Sequence, residues 1–301
     1  MSDQPSARQQ VAMVGPGSVG LFFAAHLAAA GHDVVACARR PFDRYLVESE
    51  THPVDTEATV LTDPAAYNGG PLPWVFVAVK AHQTEGAAGW LDRLCGPETR
   101  VVVAQNGIEH DRVVPFVNGA TVIPAVVYCG AELVEPGHVT HHQSAHLVVA
   151  DGPDADALVE LFADALPEIR PTDDFATPLW MKLSLNVMAN GLTALTRRAQ
   201  KVFAEPGIER AAIRLLHETF AVGRAEGADL DNSLAEKIVA GVVKRGVPGT
   251  SMYYDTIAGR PTEHDAIHGA ALRAAERHGI DTPSIAMVHA LLDARTPIAN
   301  E

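Results

Sequence analysis

Cysteine is scarce in this chain of 301 residues, with Cys37, Cys95 and Cys129 the only three. They are too few and too scattered for a disulfide framework or a zinc cage, and an odd number of thiols suits a reducing compartment. Buried structural thiols are the expectation. Positive charge is also short. Lys and Arg total 23 against 37 Asp and Glu, a formal net charge of −14, so nucleic acid and anionic membranes, both polyanions, would be repelled. Long hydrophobic runs are missing as well. The most apolar helical stretch, around Leu21 to Ala30, is too short to span a bilayer and carries His26 at its middle, with His32 just past its end. The opening MSDQPSARQQ has no apolar core and reads as a frayed leader, neither signal peptide nor anchor. These absences predict a cytoplasmic protein that engages neither nucleic acid nor membrane.

Apolar residues make up 47% of the chain, enough for a substantial core divided between two domains. In the first half, β-rich runs alternate with helical stretches: Val11 to Val14, Val34 to Ala38, Trp74 to Val79, Val101 to Ala104 and Thr121 to Val127. Such alternation predicts a parallel, doubly wound sheet. HVTHHQSAHLVVADG then reads as a late strand pair. EIRPTDDFATP, from Glu168 to Pro178, reads as an interdomain linker, with Thr177 before Pro178 marking a helix start. Beyond Pro178 the pattern is helical to the end, with amphipathic segments over Leu179 to Lys201, Ile208 to Glu226 and Ser233 to Lys244. A last helix is expected from a Thr262/Asp265 capping box to about His278, with Gly279 as its stop.

The first strand meets Gly15, Gly17 and Gly20 in G-x-G-x-x-G spacing, and a helical stretch follows at once. Gly15 allows the tight turn, Gly17 lets the backbone approach a pyrophosphate, and Gly20 lets helix and strand pack closely. The helix N-terminus would offer its unpaired N–H groups to the phosphates. Where an NAD enzyme places an acidic residue after the second strand, this chain has Arg39 and Arg40. A guanidinium pairs with a 2′-phosphate that an Asp would repel, so the cofactor expected is NADP(H), against the plain alternative of two solvated loop arginines. The fold expected is therefore an α/β Rossmann-like doubly wound domain, residues 1–172, binding NADP(H). An all-α domain, residues 173–301, follows and carries substrate and catalysis.

Lys182, Asn186 and Asn190 recur every four residues in WMKLSLNVMAN, one ammonium and two amides along a single helical stripe. Either the stripe holds a polar small molecule or it is a solvated face. Lys80 closes WVFVAVK and Asn106 follows VVVAQ, and polar residues just past the C-terminal ends of parallel strands face the ligand crevice of such sheets. Asn106 ahead of Gly107 also suits ordinary turn chemistry.

Taken together, GPGSVG, VKAHQ around Lys80, QNG around Asn106, W-x-K-x3-N-x3-N from Trp180 to Asn190 and TSMYYDTIAGRPTEHDAIHG from Thr250 to Gly269 resemble the ketopantoate reductase family over nearly the whole chain. The resemblance implies NADPH-dependent reduction of a 2-oxo acid, first of all 2-dehydropantoate to (R)-pantoate, in pantothenate biosynthesis. By the same resemblance Lys182 is the general acid, with Glu263 and Asn106 also catalytic. Asn186, Asn190, Ser251 and Glu263 contact substrate, Ser251 at its carboxylate and Glu263 at its 4-hydroxyl. Gly15, Pro16, Gly17, Ser18, Val19, Gly20, Arg39, Lys80 and Asn106 match cofactor positions. The chemistry is coherent, because hydride reduction of a ketone leaves an alkoxide that must receive a proton or a cation at once, and a positioned lysine supplies both. A bland reading of Glu263 is a carboxylate favoured in a helix's first turn, and one of Ser251 is a turn residue.

The chain reads Asn190-Gly191-Leu192-Thr193-Ala194 where the family has Asn-Pro-Leu-Thr-Ala, and Gly191 is expected to loosen the helix. Tyr253 and Tyr254 add aromatic bulk near Ser251, which points to a larger or more apolar 2-oxo acid as the alternative substrate. Two rival readings are a non-catalytic NADP-binding sensor and a β-hydroxyacid dehydrogenase. The first would need a damaged site; the Thr-Ser-Met and Thr-Glu-x-Asp segments argue against the second. Alternation along a strand would part His138, His142 and His146 from His141, so no metal is expected. The partner expected is a small-molecule 2-oxo acid; a homodimer is allowed but not specified.

Overall fold

A computed structural model describes residues 7–142, 145–245 and 249–295. Residues 1–6 of the expected leader, and Gln143 and Ser144 of the His-rich stretch, lie outside the described residues. Two compact units form: Met1–Gln105 with His110–Asp173, and Asn106–Glu109 with Asp174–Glu301.

Six parallel strands make the main sheet of the first unit, in the spatial order Thr59–Leu61, Asp33–Cys37, Gln10–Val14, Trp74–Val77, Arg100–Val103, Thr121–Pro124. Numbered within this sheet alone the order is 3-2-1-4-5-6, which reverses beside the first strand. Its central strands are apolar on both faces because both faces are covered. Val11 and Met13 pack with Leu21, Phe22 and Phe23, while Ala12 and Val14 pack with Val75, Val77, Trp90 and Leu91. Helix Ser18–Ala29 is buried without a break from Gly20 to Leu27. It lies between the main sheet and a second sheet of four strands, Ala131–Glu135, His138–His141, Arg44–Glu48 and Val54–Glu57. Apolar residues all round this helix follow from that double cover.

Several expectations are corrected here. Thr121 to Val127 is not one strand: Thr121–Pro124 ends the parallel sheet, and Val126–Tyr128 pairs antiparallel with His146–Ala150. The late strand pair does not pair with itself, since His138–His141 lies in the four-stranded sheet and His146–Ala150 in a third sheet. Glu168–Thr172, read as linker, is a strand parallel to His146–Ala150. It tolerates Pro171 because it is an edge strand. The short strands Arg44–Glu48, Val54–Glu57, Thr59–Leu61 and Ala131–Glu135 escaped notice because charged or threonine positions interrupt their apolar signal.

In the second unit, helix Ala176–Thr196 packs against helices Pro206–Ala225, Ser251–Ile257 and Pro283–Asp293. Trp180, Leu183, Val187 and Met188 supply its share of the core, with Leu216, Phe220 and Ile285 among their neighbours. The helix begins at Ala176, and the Asp174 carboxylate accepts the Thr177 N–H at 3.0 Å. Arg197, in the left-handed region at φ 51°, ends it well before Lys201. The Thr262/Asp265 capping box does not form. Thr262 Oγ1 pairs with His264 Nδ1 at 2.8 Å and Asp265 turns to Arg273, so a π-turn over Asp265–Gly269 leads into helix Ala270–His278. Gly279, at φ 64°, is the stop. Among the described residues no helix is long and apolar enough to cross a membrane.

Gly191 does not loosen its helix, which runs on unbroken to Thr196. A Cβ there would sit 2.5 Å from His268 Nε2 and 2.8 Å from a Val288 methyl, so the missing side chain admits the buried His268, whose Nε2 donates to the Val187 carbonyl at 2.9 Å. We predict that Gly191→Ala costs about 1–3 kcal/mol through overpacking, lowering Tm by several degrees; an unchanged Tm contradicts the contact.

Burial lowers His26, His110 and His268 from about 6.5 to about 4. Between those two values the unfolded chain binds more protons than the folded one, so the full stability present above pH 6.5 is lost progressively as pH falls towards 4. Melting followed across that window should show Tm falling steadily with acidification, and a flat profile contradicts neutral buried imidazoles.

Candidate active site

In the first unit the glycine loop has the geometry that its spacing requires. Gly15 adopts φ +86° and a Cβ on it would lie 2.7 Å from the Val79 nitrogen, so no other residue fits without displacement. On Gly20 a Cβ would stand 2.5 Å from the Gly15 carbonyl oxygen and 2.9 Å from the Ala78 methyl, whereas on Gly17 it would meet nothing within 4 Å. Helix Ser18–Ala29 starts there without a side-chain cap or an acidic residue in its first turn. Its first N–H groups and positive dipole end are thus left for an anion. Arg39 and Arg40 are exposed just past strand Asp33–Cys37. Half-buried Lys80 precedes the turn Ala81–Gln83 and its carbonyl accepts the Gln83 N–H at 2.7 Å. Gln105, which sequence reasoning passed over, braces that turn. Its Nε2 donates to the Val79 carbonyl at 2.9 Å and to Thr84 Oγ1 at 3.0 Å.

In the second unit the Lys182, Asn186 and Asn190 stripe is not a solvated face. Lys182 and Asn186 are half-buried and Asn190 is only 4% exposed. Asn186 Nδ2 donates to Asn106 Oδ1 at 3.4 Å, and Asn106 Nδ2 donates to Glu263 Oε2 at 3.0 Å. Two amides and a carboxylate from three distant parts of the chain thus form one line, with Lys182 and Asn190 one helical turn to either side of Asn186. Glu263 is 8% exposed, and a carboxylate so enclosed depends on donors such as the Asn106 amide. Ser251 opens helix Ser251–Ile257 with its side chain exposed. That helix is tied to the stripe, since Thr250 Oγ1 caps the Tyr253 N–H at 3.1 Å and pairs at 2.8 Å with Thr193 Oγ1, three residues past Asn190. Gly15 to Gly20, Arg39 and Lys80 belong to the first unit, and Asn106 to the second.

Further polar anchors were invisible to spacing arguments. Glu109 and Arg273, 164 residues apart, form a two-pronged ion pair at 2.7 and 2.8 Å. The Thr193–Thr250 pair spans 57 residues. Only Gly191 gave a local hint of buried His268, as a small residue where a helix must admit a neighbour. Burial pushes the Cys37 and Cys95 thiols up to about 12, which leaves them without thiolate character. His138 pairs with Glu48 at 3.1 Å, His141 packs on Phe22, and His146 stacks on Tyr128. Among the described residues no group of three or more His, Cys, Asp or Glu could hold a metal ion.

The ketopantoate reductase PanE/ApbA pattern matches residues 11–154, and the C-terminal pattern of the same family matches residues 174–296. The 2-dehydropantoate 2-reductase of Caulobacter vibrioides is 38% identical over 290 residues, covering 94% of this chain and 98% of its own. A solved 2-dehydropantoate 2-reductase from Geobacter metallireducens superimposes with a TM-score of 0.88 at 24% identity, covering 95% of this chain and 99% of its own. A D-mandelate dehydrogenase, solved with NADH and anilino(oxo)acetate, shares the fold with a TM-score of 0.84 at 21% identity, covering 95% and 98%. The protein is an oxidoreductase that pairs a parallel-sheet domain with a helical domain. It belongs to the ketopantoate reductase family.

Proposed function

We propose that this protein reduces 2-dehydropantoate to (R)-pantoate with NADPH. The observation that carries the reading is the polar line in the helical unit, Asn186 to Asn106 to Glu263, flanked by Lys182 and Asn190 on one helix face. A 2-oxo acid with a hydroxyl tail needs donors for its ketone oxygen and an acceptor for its hydroxyl, and this set offers both. The nicotinamide cofactor supplies the hydride. Lys182 Nζ is the donor that protonates the ketone oxygen as it becomes an alkoxide. Asn186 and Asn190 hold the substrate along the stripe, Glu263 accepts its hydroxyl, and Ser251 takes its carboxylate. Asn106, whose amide is oriented at both ends, positions Glu263.

In the first unit, residues 1–172 in our reading, the glycine loop fits a pyrophosphate. Gly17 opens on free space where a ligand would lie, and the helix N-terminus is uncapped. Arg39 and Arg40 favour NADPH over NADH, because an exposed guanidinium at the end of the second strand suits a 2′-phosphate. A second reading rests on Tyr253 and Tyr254, packed edge to face at 5.2 Å in the helix that begins with Ser251. It keeps the mechanism and replaces 2-dehydropantoate with a bulkier 2-oxo acid. The sensor reading has less support, since every polar group that the reaction needs is present.

Lys182→Ala should lose about two orders of magnitude or more in kcat for ketopantoate while NADPH binding, followed by its fluorescence, stays nearly intact; turnover within a few-fold of wild type removes Lys182 as the acid. Arg39→Ala should raise KM for NADPH much more than KM for NADH, and equal effects on the two would remove the NADP assignment.

A further inference from the structure

The segment Asn106–Glu109 belongs to the helical unit although the strand before it lies in the sheet unit. Three contacts hold it there. Asn106 donates to Glu263 at 3.0 Å. Gly107, at φ +103°, passes so near the π-turn that a Cβ on it would be 2.5 Å from the Ala266 carbonyl oxygen. Glu109 receives both Nε and Nη2 of Arg273, at 2.7 and 2.8 Å. The same guanidinium reaches the segment that carries Glu263, with Nη1 donating to Asp265 Oδ1 at 2.8 Å and Nη2 to the Asp265 carbonyl at 3.2 Å. Glu109 is three residues from Asn106, and Asp265 is two from Glu263.

From this geometry we infer that Arg273 is a positioning residue for the reaction, one rigid fork that grips both segments carrying the Asn106–Glu263 hydrogen bond and sets the distance between them. The guanidinium suits this task because its planar array engages a carboxylate through two parallel bonds and keeps further donors for a second partner, which an ammonium cannot match in fixed geometry. Its neighbours hold it protonated, the Glu109 carboxylate most of all. The exposed outer pair with Asp265 would add little on its own. The consequence lies in register, since a displacement of about 1 Å at a reacting group costs on the order of a hundredfold in rate.

The inference rests on the proposed role of Glu263, and its test separates the two. Ketopantoate reduction by NADPH is measured for wild type, Glu263→Gln, Arg273→Gln, Arg273→Lys and the double variant Glu263→Gln/Arg273→Gln, together with Tm and NADPH binding for each. We expect Arg273→Gln to lose about tenfold or more in kcat/KM with NADPH binding unchanged, and Arg273→Lys to recover only part of it. In the Glu263→Gln background the Arg273 substitution should cost almost nothing further, because the geometry it maintains has lost its purpose. A purely structural role would instead lower Tm in both backgrounds and multiply through the double variant. If Glu263→Gln is costly while Arg273→Gln is silent or fully additive, the positioning role is overturned and the site assignment stands. If Glu263→Gln retains wild-type kcat/KM, the site assignment falls and the positioning role falls with it.

Discussion

One hydrogen bond, from Asn106 Nδ2 to Glu263 Oε2 at 3.0 Å, joins residues 157 positions apart, and the helical site is arranged about it. A carboxylate as enclosed as Glu263 is tolerated only with donors close by, since desolvating it unpaired would cost several kcal/mol. Asn106 meets that need with its N–H, and its carbonyl oxygen then faces Asn186. The amide is thereby fixed at both ends, and the helix that carries Lys182 and Asn190 is registered to it. Gly107 follows from the same constraint, since only a residue without a side chain lets this segment lie against the Ala266 carbonyl at positive φ.

The two units meet different demands with different packing. In the sheet unit, rigidity comes from strands apolar on both faces and from a helix enclosed between two sheets, and the glycine loop is tied down by the Gly15 N–H donating to the Cys37 carbonyl and the Gly17 N–H donating to the Gly15 carbonyl. In the helical unit Lys182, Asn186 and Asn190 stand on a 21-residue helix that also gives Trp180, Leu183, Val187 and Met188 to the core. Groups mounted on a regular element braced by neighbouring helices hold their geometry better than groups on a loop. The Thr193–Thr250 hydroxyl pair and the Gly191–His268 contact are two such braces.

How much of this was legible in the sequence depended on the range of the signal. The G-x-G-x-x-G turn, the buried apolar strands and the four-residue stripe are local patterns, and local patterns give the alternation of the first half and the helices of the second. The stripe's meaning was not local: burial of Asn190 separates a site from a solvated face, and burial depends on helices far along the chain. Strands such as Val54–Glu57 and Glu168–Thr172 lie on sheet edges with most of their residues polar, so period-two alternation could not reveal them. The π-turn at Asp265 displaced an expected capping box because Arg273, eight residues on, competes for the Asp265 carboxylate. Glu109 and Arg273 carry no mutual signal in the sequence, since only the folded chain brings them together.

The most direct measurement is NADPH consumption by the purified protein with ketopantoate, set beside the same reaction with NADH and with bulkier 2-oxo acids. The account predicts rapid, ketopantoate-dependent loss of NADPH absorbance and much slower loss of NADH. No oxidation of NADPH with ketopantoate or any 2-oxo acid in the series would contradict it.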